Sequence, residues 1–356
     1  MLAAELKFPD VPNKYSWLSL AQGVFNTQAD RWDTQYCGGG LRWQIFTYQA
    51  GYSMKNTISN GVLFQLAARL ARYTNNQTYS DWAEKIYDWT ESSTLLNNKT
   101  WTLADSGNLE DNCKTPGNTQ WSYNYGTYIM GATYMYDMVS FSLPGFPKNK
   151  IQEILGLTKK QTKDKKWLKV VNGLLETSFR EFFPKKNDGG NTMEEPCEPL
   201  EVCNNNEILF KGLVTSWFAY VAQFIPDTKD RIKPKLQASA RAAADSCSGM
   251  NNNTCGVRWY QHKWDGWNGM EEQIIASNAL LSNLIIDSTD KSKNPVTADT
   301  GGNSESDPNA GQGTSSDNSG THFKKITGGD KAGAGILTAL FVGVWAGMVA
   351  FMITGG

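Results

Sequence analysis

Residues 210–225 read FKGLVTSWFAYVAQFI, and this stretch decides the fold class. Its large apolar residues recur three or four positions apart, as the helical repeat requires for one continuous face. The residues on that face are Phe210, Leu213, Val214, Trp217, Phe218, Val221 and Phe224. The stretch therefore predicts an amphipathic helix with an unbroken apolar side.

The same helical period returns at seven other places along the chain. In the first of them, Ser16 precedes the apolar stripe and can cap the helix through its hydroxyl. The predicted helices are Ser16–Arg31, Asn56–Tyr73, Tyr79–Ser93, Tyr123–Asp137, Trp167–Phe183, Phe210–Ile225, Arg231–Cys247 and Gly269–Asp287. Because no convincing strand pattern lies between them, the sequence predicts an all-α domain over residues 1–287.

The composition argues against several classes of protein. The 356 residues carry a formal net charge of −1, whereas a nucleic-acid binder normally shows a clustered basic excess. A lysine-rich stretch within residues 140–169 predicts a solvated loop or helix face. The two histidines, His262 and His322, give little support to a zinc site or a histidine-based triad. We therefore expect no nucleic-acid partner, no metal and no cofactor.

The cysteines and sequons indicate a secreted glycoprotein. Six cysteines with no CxxC pair favour disulfides over metal ligation and allow fifteen pairings. Pairing Cys197 with Cys203 and Cys247 with Cys255 would close two short loops, which leaves Cys37 with Cys113 as a hypothesis. The N-x-S/T sequons lie at Asn76, Asn98 and Asn252. Since residues 1–6, MLAAEL, lack the features of a signal peptide, we expect that an N-terminal part is absent from this sequence.

The composition changes after residue 287. Residues 288–331 are rich in Ser, Asp, Asn, Gly and Thr and predict a disordered linker. Within residues 332–356, the uncharged apolar run Ile336–Ile353 follows a polar spacer, which is the pattern of a GPI-attachment signal. We expect attachment at Asn318, with Gly328 as the second candidate and a tail-anchored protein as the other interpretation. The expected location is the secretory pathway and the cell surface.

Residues 37–61 read CGGGLRWQIFTYQAGYSMKNTISNG and predict a binding loop. Three consecutive glycines let the backbone pass close to a ligand or a neighbouring element. Arg42 and Trp43 then supply a planar donor fork beside a flat apolar face, and hydroxyl and amide groups follow. This mixture suits a sugar. The other interpretation is a structural loop whose Arg and Asn side chains cap helix ends.

Five long segments of the chain are RWDTQYCGGGLRWQIF at 31–46, YSMKNTISNG at 52–61, LAARLARYT at 66–74, DWAEKIYDW at 81–89 and NTQWSYNYG at 118–126. They resemble fungal members of glycoside hydrolase family 76, the GPI-anchored mannan endo-1,6-α-mannosidase type. The resemblance extends from about Trp17 to Asp287. It implies an (α/α)6 toroid of six helical hairpins with a cleft at one end. This chain would hold about eight of its twelve helices and the tail of one.

The resemblance also implies a retaining glycosidase that acts on α-1,6-linked mannose of mannan or GPI glycan. Its fungal members act in cell-wall biogenesis, and a transglycosidase would use cell-wall glucan as the possible acceptor. Such chemistry needs two carboxyl groups about 5–5.5 Å apart, which in this family are two adjacent aspartates. No Asp-Asp dipeptide occurs in the chain. We therefore expect the pair upstream of Met1 and no catalysis by the chain itself.

The remaining adjacent acids are Glu194-Glu195 in a Gly/Pro/Cys loop and Glu271-Glu272 in a first helical turn, and we expect neither pair to be catalytic. Two alternatives stay open, a non-catalytic mannan- or GPI-glycan-binding wall protein and a purely structural wall protein.

The predicted sugar-binding residues lie in the glycine-rich loop, at the start of an inner helix and near the third pair of cysteines. They are Arg42, Trp43, Lys55, Asn56, Asn60, Trp121, Tyr123, Asn124, Tyr125 and Trp259. Groups at a helix start can point into a cleft beside free backbone N–H groups. Trp121 and Tyr125 could instead be aromatics that pack helices together. Lys211 and Arg241 could face inward or toward solvent, so they are not included.

Overall fold

The computed structural model describes residues 1–138, 165–288, 294–297, 300 and 328–354. These residues fall into two compact units, Met1–Thr314 and Ser315–Gly356. Most of the predicted linker, most of the lysine-rich stretch, and Asn318 lie outside the described residues.

The first unit is built from helices, which confirms the all-α prediction. In chain order they are α1 Leu2–Glu5, α2 Trp17–Ala29, α3 Thr57–Thr74, α4 Gln77–Ser92, α5 Ser122–Asp137, α6 Lys165–Phe182, α7 Lys185–Asp188, α8 Asn205–Phe224, α9 Lys229–Ser246 and α10 Met270–Ile286. Short 3-10 turns lie at Pro226–Thr228 and Trp259–Gln261. Each of the eight predicted helices is present, and most boundaries differ by only a few residues.

Helix α8 begins five residues before its predicted start. The Asn204 side chain accepts hydrogen bonds from the backbone N–H groups of Asn206 and Glu207, and the Glu207 carboxylate accepts the Asn204 N–H in return. This capping box satisfies backbone donors that a helix start would otherwise leave free, so the helix extends beyond its apolar stripe.

Within the described residues, four short strands lie in the loops, and the sequence did not predict them. Strand β1, Met54–Asn56, pairs antiparallel with β4, Ser106–Asn108, with Met54 opposite Asn108 and Asn56 opposite Ser106. Strands β2, Leu96–Asn97, and β3, Thr102–Leu103, form a second small ribbon. The β1–β4 ribbon joins the glycine-rich loop to the segment that leads into α5.

Four helices form an inner row, in which α3 packs on α5, α5 on α8, and α8 on α10. Helices α4, α6 and α9 pack along the outside of this row. Contacts between matching ends indicate that the four inner helices all begin at the same end. Tyr123 at the start of α5 stacks on Phe210 near the start of α8, and Gln223 at the end of α8 donates to the Ile285 carbonyl at the end of α10. Close approach is possible because Gly212 of α8 faces the backbone of α10. A Cβ at this position would lie 2.8 Å from Ile275 Cα.

A buried ion pair closes the far end of the inner row, where these helices end. Glu5 of α1 is fully buried and pairs with Arg69 of α3, whose guanidinium lies 5.2 Å from the Tyr134 ring centroid. The backbone N–H of Val296 donates to the Glu5 carbonyl. The polar side chains of the candidate site lie at the opposite end, where the inner helices begin.

The three predicted disulfides are confirmed: Cys37–Cys113, Cys197–Cys203 and Cys247–Cys255. Asn98 and Asn252 are exposed, whereas Asn76 is half-buried and its side chain caps α4. Glycosylation at these three sites stays a prediction.

The second unit contains helix α11, Gly328–Thr354, which includes the apolar run of the predicted GPI signal. Of the helices that the structure describes, none has the length and apolar character needed to cross a membrane.

Candidate functional site

The candidate site lies where the four inner helices begin. Asp105 connects the first two, because its carbonyl accepts the backbone N–H of Thr57 in α3 and its carboxylate accepts the Asn124 side chain of α5. A buried acidic loop between α7 and α8 joins α5 to α8 at the same end, through Glu195 with Ser122 and Glu198 with Lys211.

Asn124 is the most informative of the predicted residues. Its side chain is fully buried in the first turn of α5, and its Nδ2 donates to Asp105 Oδ1 at 3.0 Å. Among the described residues, no donor reaches the Asn124 Oδ1 atom. An unsatisfied buried acceptor costs about 1–3 kcal/mol, so a hydroxyl that reached this buried oxygen would stabilise it.

Asp105 is a site residue that sequence reasoning missed. Burial raises the pKa of its carboxyl, and the hydrogen bond from Asn124 opposes that shift. The residue is only half-buried, so part of it lies at the surface. The surrounding residues 103–108, LADSGN, are typical of a turn and do not indicate a binding site. Only the pairing of β1 with β4 brings Asp105 to Asn124.

Aromatic side chains form one wall beside Asn124. The ring of Tyr123 stacks on Phe210 with centroids 3.8 Å apart and planes 10° apart, and Trp121 meets Phe210 edge-on at 5.6 Å. Burial, followed by the charges of Asp105, Glu195 and Glu207, raises the pKa of Tyr123. Its hydroxyl therefore stays protonated and can donate a hydrogen bond.

Tyr125 lies in the core and not at the surface of the site. Its hydroxyl accepts the Leu103 N–H at 3.0 Å and donates to Gln120, and its ring packs edge-on against Phe182. This environment favours the packing interpretation of Tyr125.

Lys55 holds the glycine-rich loop together. Its side chain is fully buried, and Nζ donates to the carbonyls of Asp33, Tyr36 and Gly39 at 2.7, 2.6 and 2.5 Å. Burial lowers the pKa of Lys55 to about 8, and the Asp33 carboxylate opposes that shift. The three N–H donors of the Lys55 ammonium group therefore bond loop carbonyls, whereas the sequence predicted that Lys55 would contact sugar.

Asn56 and Asn60 shape the same loop. Asn56 caps α3 by accepting the Ser59 N–H, and Asn60 exchanges hydrogen bonds with the backbone of Leu41 in both directions. Both residues are buried, so they stabilise the loop and the helix start, as the interpretation of residues 37–61 as a structural loop expects.

Arg42 and Trp43 lie nearer the surface. The Arg42 guanidinium pairs with Asp33 at 2.9 Å and lies 4.5 Å from the Tyr52 ring centroid. Trp43 is exposed on one side and covers Gly51 with the other, where a Cβ would meet its ring at 2.2 Å. Of the predicted loop residues, Trp43 is the one with an open aromatic face.

A buried acidic loop caps α5 and contacts α8. The fully buried Glu195 carboxylate accepts the Ser122 N–H at 3.2 Å and the Ser122 hydroxyl. Burial raises the pKa of Glu195 to about 8. Glu195 thus serves as the cap of α5 instead of facing an open cleft.

The neighbouring Glu198 pairs with Lys211 of α8 at 2.9 Å, and both side chains are buried. Lys211 Nζ also lies 3.9 Å from the Trp259 ring centroid. Trp259 is fully buried in a second core cluster, while Arg241 of α9 is exposed. The structure therefore does not bring Trp259 to the same open surface as Trp43.

Among the described residues, one group has metal-ligand geometry, Glu207 with Cys197 and Cys203. Both cysteines belong to a disulfide, so they offer no thiolate to a metal.

The arrangement can bind a polyhydroxylated ligand. It offers a free amide oxygen, a half-buried carboxyl group, a neutral tyrosine hydroxyl and backbone N–H groups at helix starts.

Comparison with known proteins is consistent with this fold. The model of glycosyl hydrolase family 76 matches residues 1–140 and 156–299. A mannan endo-1,6-alpha-mannosidase of Candida glabrata is 40% identical over 343 residues, which are 96% of this chain and 69% of that protein. A second, from Candida albicans, is 39% identical over 358 residues, 99% of this chain and 71% of that protein.

Solved structures agree with this assignment. Dfg5 from Chaetomium thermophilum in complex with glucosamine is 38% identical and has a TM-score of 0.73. The match covers 90% of this chain and 72% of the Dfg5 chain. The GH76A alpha-1,6-mannanase from Salegentibacter is similar in fold, with 17% identity and a TM-score of 0.54 over 76% of this chain and 69% of its own. The chain belongs to glycosyl hydrolase family 76.

Proposed function

We propose that the N-terminal end of the inner row binds α-1,6-linked mannose of mannan or of a GPI glycan. In this proposal the protein acts as a cell-wall mannan endo-1,6-α-mannosidase or transglycosidase in fungal cell-wall biogenesis. The relatives named as mannan endo-1,6-alpha-mannosidases support the substrate class. The observation that carries the proposal is the Asn124–Asp105 pair with its unsatisfied amide oxygen.

The pair can recognise two neighbouring hydroxyl groups of one sugar. Asn124 Oδ1 would accept a hydrogen bond from one hydroxyl, and the Asp105 carboxyl group would accept one from the next. Charged acceptors form stronger hydrogen bonds than neutral ones, so Asp105 contributes more while it is ionised. The stacked rings of Tyr123 and Phe210 form the adjacent apolar wall.

Bond cleavage would need two carboxyl groups about 5–5.5 Å apart. An inactive variant of the Salegentibacter enzyme, in which two adjacent aspartates are replaced, is bound to alpha-1,6-mannotetrose. The chain described here contains no adjacent aspartates. That observation favours a second candidate function, a wall protein that binds mannan or GPI glycan without cleaving it.

The remaining parts of the proposal concern the partners and the location. We propose cell-wall glucan as the acceptor of a transfer reaction. We also propose that a GPI anchor at Asn318 holds the protein at the plasma membrane or in the cell wall. The apolar run Ile336–Ile353 behind a polar spacer supports the anchor.

Calorimetric titration with α-1,6-mannotetraose tests the binding proposal. Replacing Asn124 with leucine removes the unsatisfied oxygen at similar volume, so we expect affinity to fall at least about tenfold. Asn283→Leu is the matched control, because Asn283 Oδ1 is also buried without a partner among the described residues but lies near the other end of α10. Equal affinity of the Asn124 variant and wild type would refute the assignment.

Release of shorter oligosaccharides from α-1,6-mannan separates the two candidate functions. Turnover by this chain supports the glycosidase. Binding without turnover supports the non-catalytic wall protein.

A further inference from the structure

We propose that Phe46 and Tyr48 form an outlying glycan-binding platform, which extends the proposed mannose site and rests on the proposed function. Their side chains are 52% and 82% exposed, although both are aromatic. The two rings are nearly parallel, with centroids 5.5 Å apart and planes 7° apart. Ile45 is exposed beside them, and the open face of Trp43 lies in the same loop.

The loop that carries these rings is internally hydrogen-bonded. The Gln49 N–H donates to the Phe46 carbonyl at 3.0 Å, and the Gln49 side chain accepts the Phe46 N–H at 3.3 Å. At the base of the loop, the Trp43 N–H donates to the Met54 carbonyl at 2.9 Å. A loop fixed in this way presents its rings without a large ordering cost on binding.

The loop is continuous with the candidate site through the β1–β4 ribbon. Met54 ends the loop and begins β1, while Asp105 immediately precedes β4 and bonds to Thr57 at the other end of β1. A strand rises about 3.4 Å per residue, so the base of the loop lies about 10 Å from Asp105. A single mannose bound at Asp105 would not extend beyond the base of the loop, whereas an oligosaccharide would.

The chemistry of the loop favours a neutral glycan over a membrane surface. Residues 43–54, WQIFTYQAGYSM, contain no charged residue, whereas segments that bind anionic lipid are rich in Lys and Arg. Flat exposed rings can pack against the C–H face of a sugar, and the neighbouring amides of Gln44 and Gln49 can bond its hydroxyls.

Titration with α-1,6-mannobiose and α-1,6-mannohexaose tests the platform. We expect the wild type to bind the hexaose about tenfold more tightly than the biose, because only the hexaose reaches the rings. The double variant F46A/Y48A should lose this gain and keep its affinity for the biose. Tyr48→Phe should keep the gain, since the ring and not the hydroxyl makes the contact.

Tyr15→Ala is the control, because Tyr15 is 78% exposed and precedes α2 at the end of that helix remote from the glycine-rich loop. Unchanged hexaose affinity in the double variant would overturn the platform while leaving the proposed mannose site intact. If the wild type binds neither oligosaccharide, both proposals are wrong. The wild type could instead bind phosphatidylcholine vesicles, and the double variant could lose that binding while its hexaose affinity stays unchanged. This result would assign the rings to a lipid surface.

Discussion

Replacing both cysteines of the Cys37–Cys113 disulfide with alanine tests how the loops around the candidate site are stabilised. The bond joins residues 76 positions apart, whereas Cys247–Cys255 joins residues only 8 apart. In the chain-entropy model, closing the longer loop stabilises the folded state by about 4.5 kcal/mol and closing the shorter by about 2.5 kcal/mol. The first double variant should therefore be less stable than the second by about 2 kcal/mol.

Urea unfolding followed by circular dichroism measures this difference, with the Cys247/Cys255 double variant as the matched control. The Cys37/Cys113 variant should also bind α-1,6-mannotetraose more weakly, because its disulfide ties the glycine-rich loop to the segment that follows Asp105. Equal losses of stability, or a larger loss in the control, would show that the length of the closed loop does not set the stabilisation.

Two further predictions concern the inner row. Burial raises the pKa of Glu195 to about 8, so the folded chain retains a proton that the unfolded chain releases. The stabilisation that comes from keeping Glu195 protonated is fully present below about pH 4.5 and is lost as pH rises through about 8. The urea concentration at the midpoint of unfolding should therefore fall as the pH rises over this range, and Glu195→Gln should make that fall smaller. A midpoint that rises with pH would contradict the assignment of a raised pKa to Glu195. Gly212→Ala should destabilise by about 1–3 kcal/mol, because the new Cβ meets the backbone at Ile275. The control Gly23→Ala meets nothing within 4 Å and should stabilise α2 by up to about 1 kcal/mol. If the two substitutions have the same effect in thermal unfolding, Gly212 does not set the helix spacing.

The helices could be predicted from the sequence because each one buries a stripe of its own apolar residues. Helix α8 shows the limit of this signal, since its start depends on the Asn204 and Glu207 side chains and not on apolar spacing. The disulfides were predictable because four of the six cysteines can pair across short loops, which leaves Cys37 and Cys113 as the last pair.

The site was predictable only in part. Asn124 was identified from its place at a helix start, but its partner Asp105 comes from a distant turn. The three-residue strand that positions Asp105 has no periodicity to read. The sequence predicts Lys55 as a sugar contact because a charged donor in a polar loop suits sugar hydroxyls. Three loop carbonyls instead surround its ammonium group, a pattern that depends on the folded path of residues 33–39.

A crystal structure of this chain with α-1,6-mannotetraose would show where the glycan binds. We expect a mannose with one hydroxyl within hydrogen-bond distance of Asn124 Oδ1 and another at the Asp105 carboxyl group. A tetraose found only elsewhere, such as in the groove between Trp101 and Arg180, would contradict it.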